Sequence, residues 1–552
     1  MKLKFLAIAL AALALTGCAS IPQSGPIGFG PDVASGLNND EVYYSQTGPY
    51  NDAPEEAILF GFLNSGNGPQ NDYAVAREYL TKTFAAKWKP NDAVLIQEGT
   101  PELFKVSERE YRVTVGVSAE VDADGRFTDL PAGTKRTFNI GFVQVDGQWR
   151  INDAPNQTMV IRPNFKVLFR AYSLYFFDPS LTYLVPEVRW FPSRASTGTR
   201  LTNALLKGPS DWLKPAVVNV IPIGTKLNIN SVTVEDGVAR VDLSSLALRV
   251  PAAKRPLMKS QIAATLEQLT DVTSVEISIQ RTPQTIAQYV DGQPPRFGTS
   301  PVALTSNGLV RLNTSGAQAI AGTESKVALL NPTDFAYSQN QNRVAFVSQT
   351  GVHVYKLDVF NDPGKLVDAR ENQLSPSFDP QGSLWTLSST KGAPFVVTGN
   401  ERSVLRNTWV SGVPLSFSVS PEGARVAVVY LVDKTKLTYV FPIERNKSGK
   451  AVYLGKPIQI TSVPANSDHV SWADGVTLAL IAPSVPTGVI PCLVTVGGQL
   501  NASTAIESAS SLSVNGTGQI FVLQPTGNVV ESRGTAWVTI AQNILALHVS
   551  GD

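Results

Sequence analysis

The sequence predicts a multidomain chain, two α+β modules followed by an all-β propeller of about six blades. Three observations lead there. Short β-like runs recur after Thr299, each pair joined by a polar turn at the same place in the repeat. Before that point, amphipathic helices alternate with runs that meet across Asp-Gly turns, the mark of mixed α and β modules. At 552 residues the chain is also long enough for about three or four domains.

The N-terminus comes first. Lys2 and Lys4 precede an apolar run over residues 5–15 that ends in Leu15-Thr16-Gly17-Cys18. This is the layout of a secretory signal peptide, too short to span a bilayer comfortably. A leucine three places before a cysteine, with small residues between, matches the bacterial lipobox. The expectation is a signal peptide over residues 1–17, cleavage between Gly17 and Cys18, and S-diacylglycerol and N-acyl (palmitate) chains on Cys18. The competing reading is an ordinary signal with an incidental cysteine. One acyl chain binds membranes marginally, whereas two or more hold durably. Residues 18–52, rich in Gly, Pro, Ser and Asn, read as a flexible tether with a reach on the order of 30 Å. The predicted location is the cell membrane, lipid-anchored on its extracytoplasmic face.

Residues 53–158 form the first expected module. A mostly apolar helix over 55–64 precedes a second over 72–88, with Ala76, Leu80, Phe84 and Trp88 on one face and Pro90 ending it. Residues 112–117 then lead to a turn at Asp124-Gly125, and residues 139–145 meet 148–151 across Asp146-Gly147. Helices followed by a curved antiparallel sheet suggest an NTF2-like or cystatin-like fold. A second module spans 165–290. Strand-like runs at 173–177 and 182–185 flank Asp178-Pro179-Ser180, and a helix over 199–206 stops at Gly208-Pro209. A hairpin turns at Asp236-Gly237, a helix covers 255–269, and 274–279 alternates as a last strand.

From 299 to 552 the helical periodicity disappears. Ser338, Phe378, Val419, Trp472 and Val514 mark five repeats, mostly at the ~40–45-residue step of a propeller blade. One longer step implies a loop insertion. Leftover strands at 308–312 and 536–549 suggest a composite closing blade, hence about six blades. A β-sandwich with chance spacing is the competing reading.

Composition limits the chemistry. Lys and Arg number 46 against 45 Asp and Glu, for a net charge of +1, and charged residues make up 16%. That is no footprint for nucleic acid. Of two cysteines, Cys492 stands alone once Cys18 is lipidated, so no disulfide is expected within the mature chain. His353, His469 and His548 are the only histidines and show no metal-ligand spacing. No nucleophile elbow, P-loop or dinucleotide fingerprint occurs. No catalytic, metal-ligating or cofactor-binding residues are therefore expected. Ser388-Ser389-Thr390-Lys391 has Ser-x-x-Lys spacing but sits in a predicted blade loop. Asp236 and Asp242 flank a hairpin strand, with Asp236-Gly237 better read as its turn. Tyr175, Phe176, Phe177, Trp190 and Phe191 cluster where the two modules meet. Trp190 and Phe191 are the candidate binding surface, a groove for peptidoglycan or a partner; the same cluster also reads as core or an interdomain seam.

Several of these segments resemble a known family. The lipobox, Tyr175-Phe176 before Leu184-Val185-Pro186, and Leu205-Leu206-Lys207-Gly208-Pro209 before Lys214-Pro215-Ala216-Val217 are similar to the LpqB lipoproteins of actinobacteria. Residues 221–227, 236–244 and 261–266 resemble the GerMN domain of sporulation and germination proteins. The resemblance implies a non-enzymatic envelope protein that associates with the extracytoplasmic part of a sensor histidine kinase of the MtrB type and modulates two-component signalling, with effects on envelope homeostasis and cell division. Its implied partners are the membrane, through the anchor, and that kinase. Two other readings remain: a peptidoglycan- or glycan-binding lipoprotein using aromatic faces such as Trp190, and a hydrolase with acids on a propeller face.

Overall fold

The computed structural model describes residues 46–193, 196–289, 297–313, 316–390, 393–398, 401–405, 409–464, 466–484 and 488–549. Cys18, Gly17 and the tether up to residue 45 lie outside these. All described residues belong to one compact unit running from Glu41 to Asp552.

The first module begins with the helix Glu55–Asn64, which follows the extended Pro54 and carries Glu55 and Glu56 in its first turn, where the helix dipole favours anions. The helix expected over 72–88 is broken. A 3-10 turn at Gln70–Asp72 leads to the short helices Ala74–Glu78 and Lys82–Lys87. Backbone pairing causes the break: Thr81 N–H donates to the Ile151 carbonyl at 2.8 Å, and Ile151 N–H donates to that of Tyr79 at 2.9 Å. Thr81 then caps the next helix by accepting from Phe84 N–H. The apolar face survives the break, since Ala76, Leu80, Phe84 and Trp88 are all buried.

The sheet beneath these helices runs Gln148–Asp153, Lys135–Val145, Glu110–Asp122, Ala93–Ser107, Thr158–Ile161, with the last pairing parallel. Asp146 and Gly147 both have positive φ, 53° and 75°, as a type I′ hairpin requires. The strand Ala93–Ser107 was not expected from the sequence. Its second half is largely exposed and its register shifts between Glu98 and Glu102, around Gly99 and Pro101, so no alternation marks it.

In the second module Phe169–Phe177 and Leu184–Pro192 pair antiparallel. The helices Thr197–Lys207 and Arg255–Leu266 pack beside them, their buried residues joining Leu174, Phe176, Val241 and Ile277 in one core. Val238–Leu243 and Ser274–Ile279 are parallel, joined through the helix Arg255–Leu266 as a crossover. Asp236 and Gly237 (φ 51° and 78°) form the turn expected of them.

Six blades complete the chain. Blade I contains Val302–Thr305, Gly308–Asn313, Gly316–Ala319 and, from the C-terminus, Ala546–His548. Blades II to VI begin with the inner strands Asp334–Ser338, Ser377–Phe378, Val413–Val419, Asp468–Trp472 and Ser511–Val514. The long step in the repeat falls in blade IV. It arises from long strands, Arg425–Val432 and Thr435–Arg445, and an added strand Ile458–Gln459, rather than from a loop insertion alone. One helix, Glu324–Leu330, lies between blades I and II, correcting the expectation of none; at seven residues it is too short to give a periodic signal.

Ala546–His548 closes the ring by pairing with Val302–Thr305. A chain truncated after Asn543 is expected to lose the cooperative melting of the propeller, and thermal circular dichroism indistinguishable from the full chain would contradict this closure.

Candidate functional site

Two places gather polar side chains where an apolar interior is the rule: the seam between the modules and the axis of the propeller.

All nine residues of Leu184–Pro192 are buried, although alternate residues of a strand face opposite ways. Both faces are therefore covered. Glu187 and Arg189, 5% and 2% exposed at the side chain, pair at 2.9 Å. Ser210 N–H and hydroxyl both donate to the Glu187 carboxylate, and Arg189 Nη1 donates to the Val188 carbonyl. Trp190 packs against Phe127 of the first module and against Phe165, at ring-centroid distances of 5.7 and 5.2 Å. Its indole N–H donates to Gly497 of blade V at 2.9 Å, and its backbone N–H to Gly125 at 2.7 Å. A Cβ on Gly125 (φ 79°) would come within 2.9 Å of the Phe191 ring, so only glycine permits this approach. One residue thus joins three modules. From the propeller side, Arg425 is held by Glu422 at 2.7 Å and lies 4.7 Å over the Trp472 ring. It donates to the carbonyls of Pro186, in the buried strand, and Gly475.

Trp190 and Phe191, read from the sequence as a candidate binding surface, are therefore interior: 9% and 4% exposed. The hydrogen bond to Gly497 and the ring contacts leave Trp190 no open stacking face. The seam alternative describes where they lie.

The inner strands of all six blades surround the axis, and a side chain bridges every junction between them. His548 Nε2 meets Asp334 Oδ1 at 2.7 Å between blades I and II, and the Ser375 hydroxyl donates to Asp334 from blade III. Ser377 accepts from Val419 N–H and Ser416 from Val470 N–H. His469 Nε2 and the Ser471 hydroxyl both reach the Leu512 carbonyl, at 2.9 and 3.0 Å, and Ser513 reaches that of Leu547. A cavity of about 210 Å³ occupies one end of the axis, reached by Tyr183 of the second module. A second of about 510 Å³ occupies the other end. Both are lined by Ser375, Ser416, His469 and His548.

The electrostatics of this belt are distinctive. Burial lowers the pKa of His469 to about 4, so its imidazole is neutral near neutral pH. Burial pushes the Asp334 carboxyl up, but His548, the Ser375 hydroxyl and the Phe335 N–H outweigh it and hold the carboxyl below its ordinary value. His469 also has φ +48° and sits at a β-bulge between Asp468 and Val470. Left-handed backbone at a bulge, away from glycine, is a feature of functional sites.

Other residues singled out from the sequence are structural. Asp242 is held ionised by Asn228, Ser278 and the Arg281 N–H, against the upward push of burial. Ser388 donates to the Glu371 carbonyl, and Lys391 lies outside the described residues. Cys492 is buried and unpaired, its thiol pKa raised by burial. Among the described residues no cluster of three or more His, Cys, Asp or Glu could hold a metal ion. The sequence reading missed the axial belt because its members are common residues, scattered one or two to a blade. A signal was present in part: Ser377, Ser416, Ser471 and Ser513 recur near the repeat markers.

Fold and site together define a three-module protein in which an α+β module, a GerMN domain and a six-bladed propeller share buried seams. Family models match in the same order: the N-terminal domain of lipoprotein LpqB over residues 48–166, the sporulation and spore germination (Germane) domain over 173–285, and the LpqB beta-propeller domain over 307–544. The two LpqB models together match more than half of the chain. Lipoprotein LpqB of Cutibacterium acnes is 23% identical, with 98% of each chain covered. That of Corynebacterium diphtheriae is 24% identical over 98% of this chain and 94% of its own. Among solved structures, the tandem GerMN domains of the sporulation protein GerM from Bacillus subtilis align at 18% identity over 27% of this chain and 62% of that one, with a TM-score of 0.19. The chain belongs to the LpqB family of lipoproteins. Among the described residues no helix is long and apolar enough to cross a membrane.

Substitutions at Arg425 and Glu422 test the seam, and one at His469 tests the belt. Arg425→Ala leaves Glu422 buried without its partner and should cost about 3–5 kcal/mol, read as a lower melting temperature, whereas the paired Glu422→Gln, Arg425→Met change should cost less. Because the folded pKa of His469 lies below its unfolded value of about 6.5, its contribution is present above pH 6.5 and is lost as pH falls toward 4. His469→Asn, which tolerates the left-handed backbone, should flatten this part of the stability–pH profile by on the order of 2–3 kcal/mol; an unchanged slope would contradict the neutral, buried imidazole.

Proposed function

We propose that this protein is a lipid-anchored accessory protein that binds the extracytoplasmic part of a sensor histidine kinase and modulates two-component signalling. The observation that carries the reading is membership of a lipoprotein family, taken with the lipobox at Leu15-Thr16-Gly17-Cys18. Acyl chains on Cys18 confine the protein to the membrane plane, which raises its effective concentration toward other membrane proteins without any added contact. The kinase partner is the one the family resemblance implies.

The seam supports the reading in a second way. With Trp190 and Arg425 tying the modules together, a partner meets one body rather than three independent domains, so contact at one module is felt as force or orientation at the others. In this reading the role is binding and positioning, without catalysis.

Co-purification from detergent-solubilised membranes tests the proposal. Wild-type protein should bring down a sensor histidine kinase. Cys18→Ala should block lipidation, release the protein from the membrane fraction and sharply reduce kinase recovery. Recovery of wall fragments with no kinase would overturn the reading, as would normal processing and membrane retention of the Cys18→Ala protein.

A further inference from the structure

The axial cavity holds polar atoms that the belt leaves uncommitted. Ser377 and Ser416 use their oxygens to accept from Val419 and Val470 N–H, so each keeps a hydroxyl hydrogen to donate. Tyr337, Ser338 and Ser418 line the same cavity, and their hydroxyls make no hydrogen bond among the described residues. His469 spends Nε2 on the Leu512 carbonyl, leaving Nδ1 as an acceptor. His469, which a bulge takes out of the ladder, lines the cavity. Five hydroxyl-bearing residues and His469 therefore line a single space with hydrogen-bonding capacity left over.

The charged groups at the axis are different, because each is already matched. Asp334 receives His548, Ser375 and the Phe335 N–H. Asp379 is taken by Arg445 at 2.8 Å and by the Trp385 indole at 2.9 Å, and Asp468 pairs with Lys436. A charged ligand would enter with no free counter-charge and would lose hydration uncompensated. A neutral ligand rich in hydroxyls would find donors and acceptors, and the half-buried Phe297 and Phe378 line the cavity, the latter with Arg343 5.0 Å over its ring. The two cavities, about 210 and 510 Å³, give room well beyond a single water.

We propose that the propeller axis is a binding site for a neutral saccharide, held by the hydroxyls of Tyr337, Ser338, Ser377, Ser416 and Ser418 and by Nδ1 of His469. A peptide presents amides at fixed spacing with few hydroxyls and uses this set poorly. The site is separate from kinase docking, and its failure would leave that reading standing.

The test uses the full-length lipoprotein in a sugar-free detergent, with ligand-observed NMR titrations of N,N′-diacetylchitobiose, maltose and an N-acetylated tetra-alanine amide. At least one disaccharide should bind in the millimolar range or tighter; chitobiose alone would assign an amino-sugar source, and binding of both would assign general hydroxyl recognition. Tyr337→Phe and Ser418→Ala each remove one hydroxyl that makes no belt bond, so the melting temperature should hold while affinity falls about fivefold. Binding of neither sugar, binding of the peptide in their place, or sugar binding untouched in both variants would overturn the proposal.

Discussion

A strand buried along its whole length must be covered on both faces at once, and Leu184–Pro192 imposes this requirement on the rest of the molecule. Its residues are shared among clusters of the GerMN core, the first module and the propeller. The ion pair Glu187–Arg189 makes the requirement stricter, because either charge exposed to an apolar surface without its partner costs several kcal/mol. Ser210 and the Val188 carbonyl hydrogen-bond to the pair from within the same module, while Arg189 Nε stays buried without a partner, so the pair depends on its neighbours to keep water and apolar surface arranged around it. Trp190 adds the direct link, with rings from one module on its side and a propeller carbonyl on its indole.

The propeller solves a related problem by closure. Its blades present polar inner edges to a common axis, and bridging each junction with one side chain ties neighbouring strands without filling the space between them. A belt built from serines, histidines and Asp334 keeps the axis polar. The strained backbone of His469 is part of that arrangement, since a regular strand would return its ring to the blade interior alternation.

Legibility in the sequence follows the range of the interaction. Local chemistry was readable: Asp146-Gly147 and Asp236-Gly237 are the hairpin turns their dipeptides announce, and the helix Glu55–Asn64 has the expected bounds. The repeat after Thr299 announced blades and a composite closure, which Ala546–His548 supplies. Long-range choices were hidden. Nothing near Leu80 says that Ile151 will pair there and split a helix, and nothing near Trp190 separates an open groove from a seam. These belt partners lie 41 to 54 positions apart and meet only when the ring closes.

A lipid anchor gives such a body its place, while the seam decides whether it acts as one piece. Hydrogen exchange at the backbone amides of residues 184–192 tests that directly. If the three modules form a single body around this strand, these amides exchange only through global opening, as slowly as the inner strands of the propeller. Exchange at the rate of exposed turns such as Asp146-Gly147, while propeller amides stay protected, would show the modules parting independently and contradict the account.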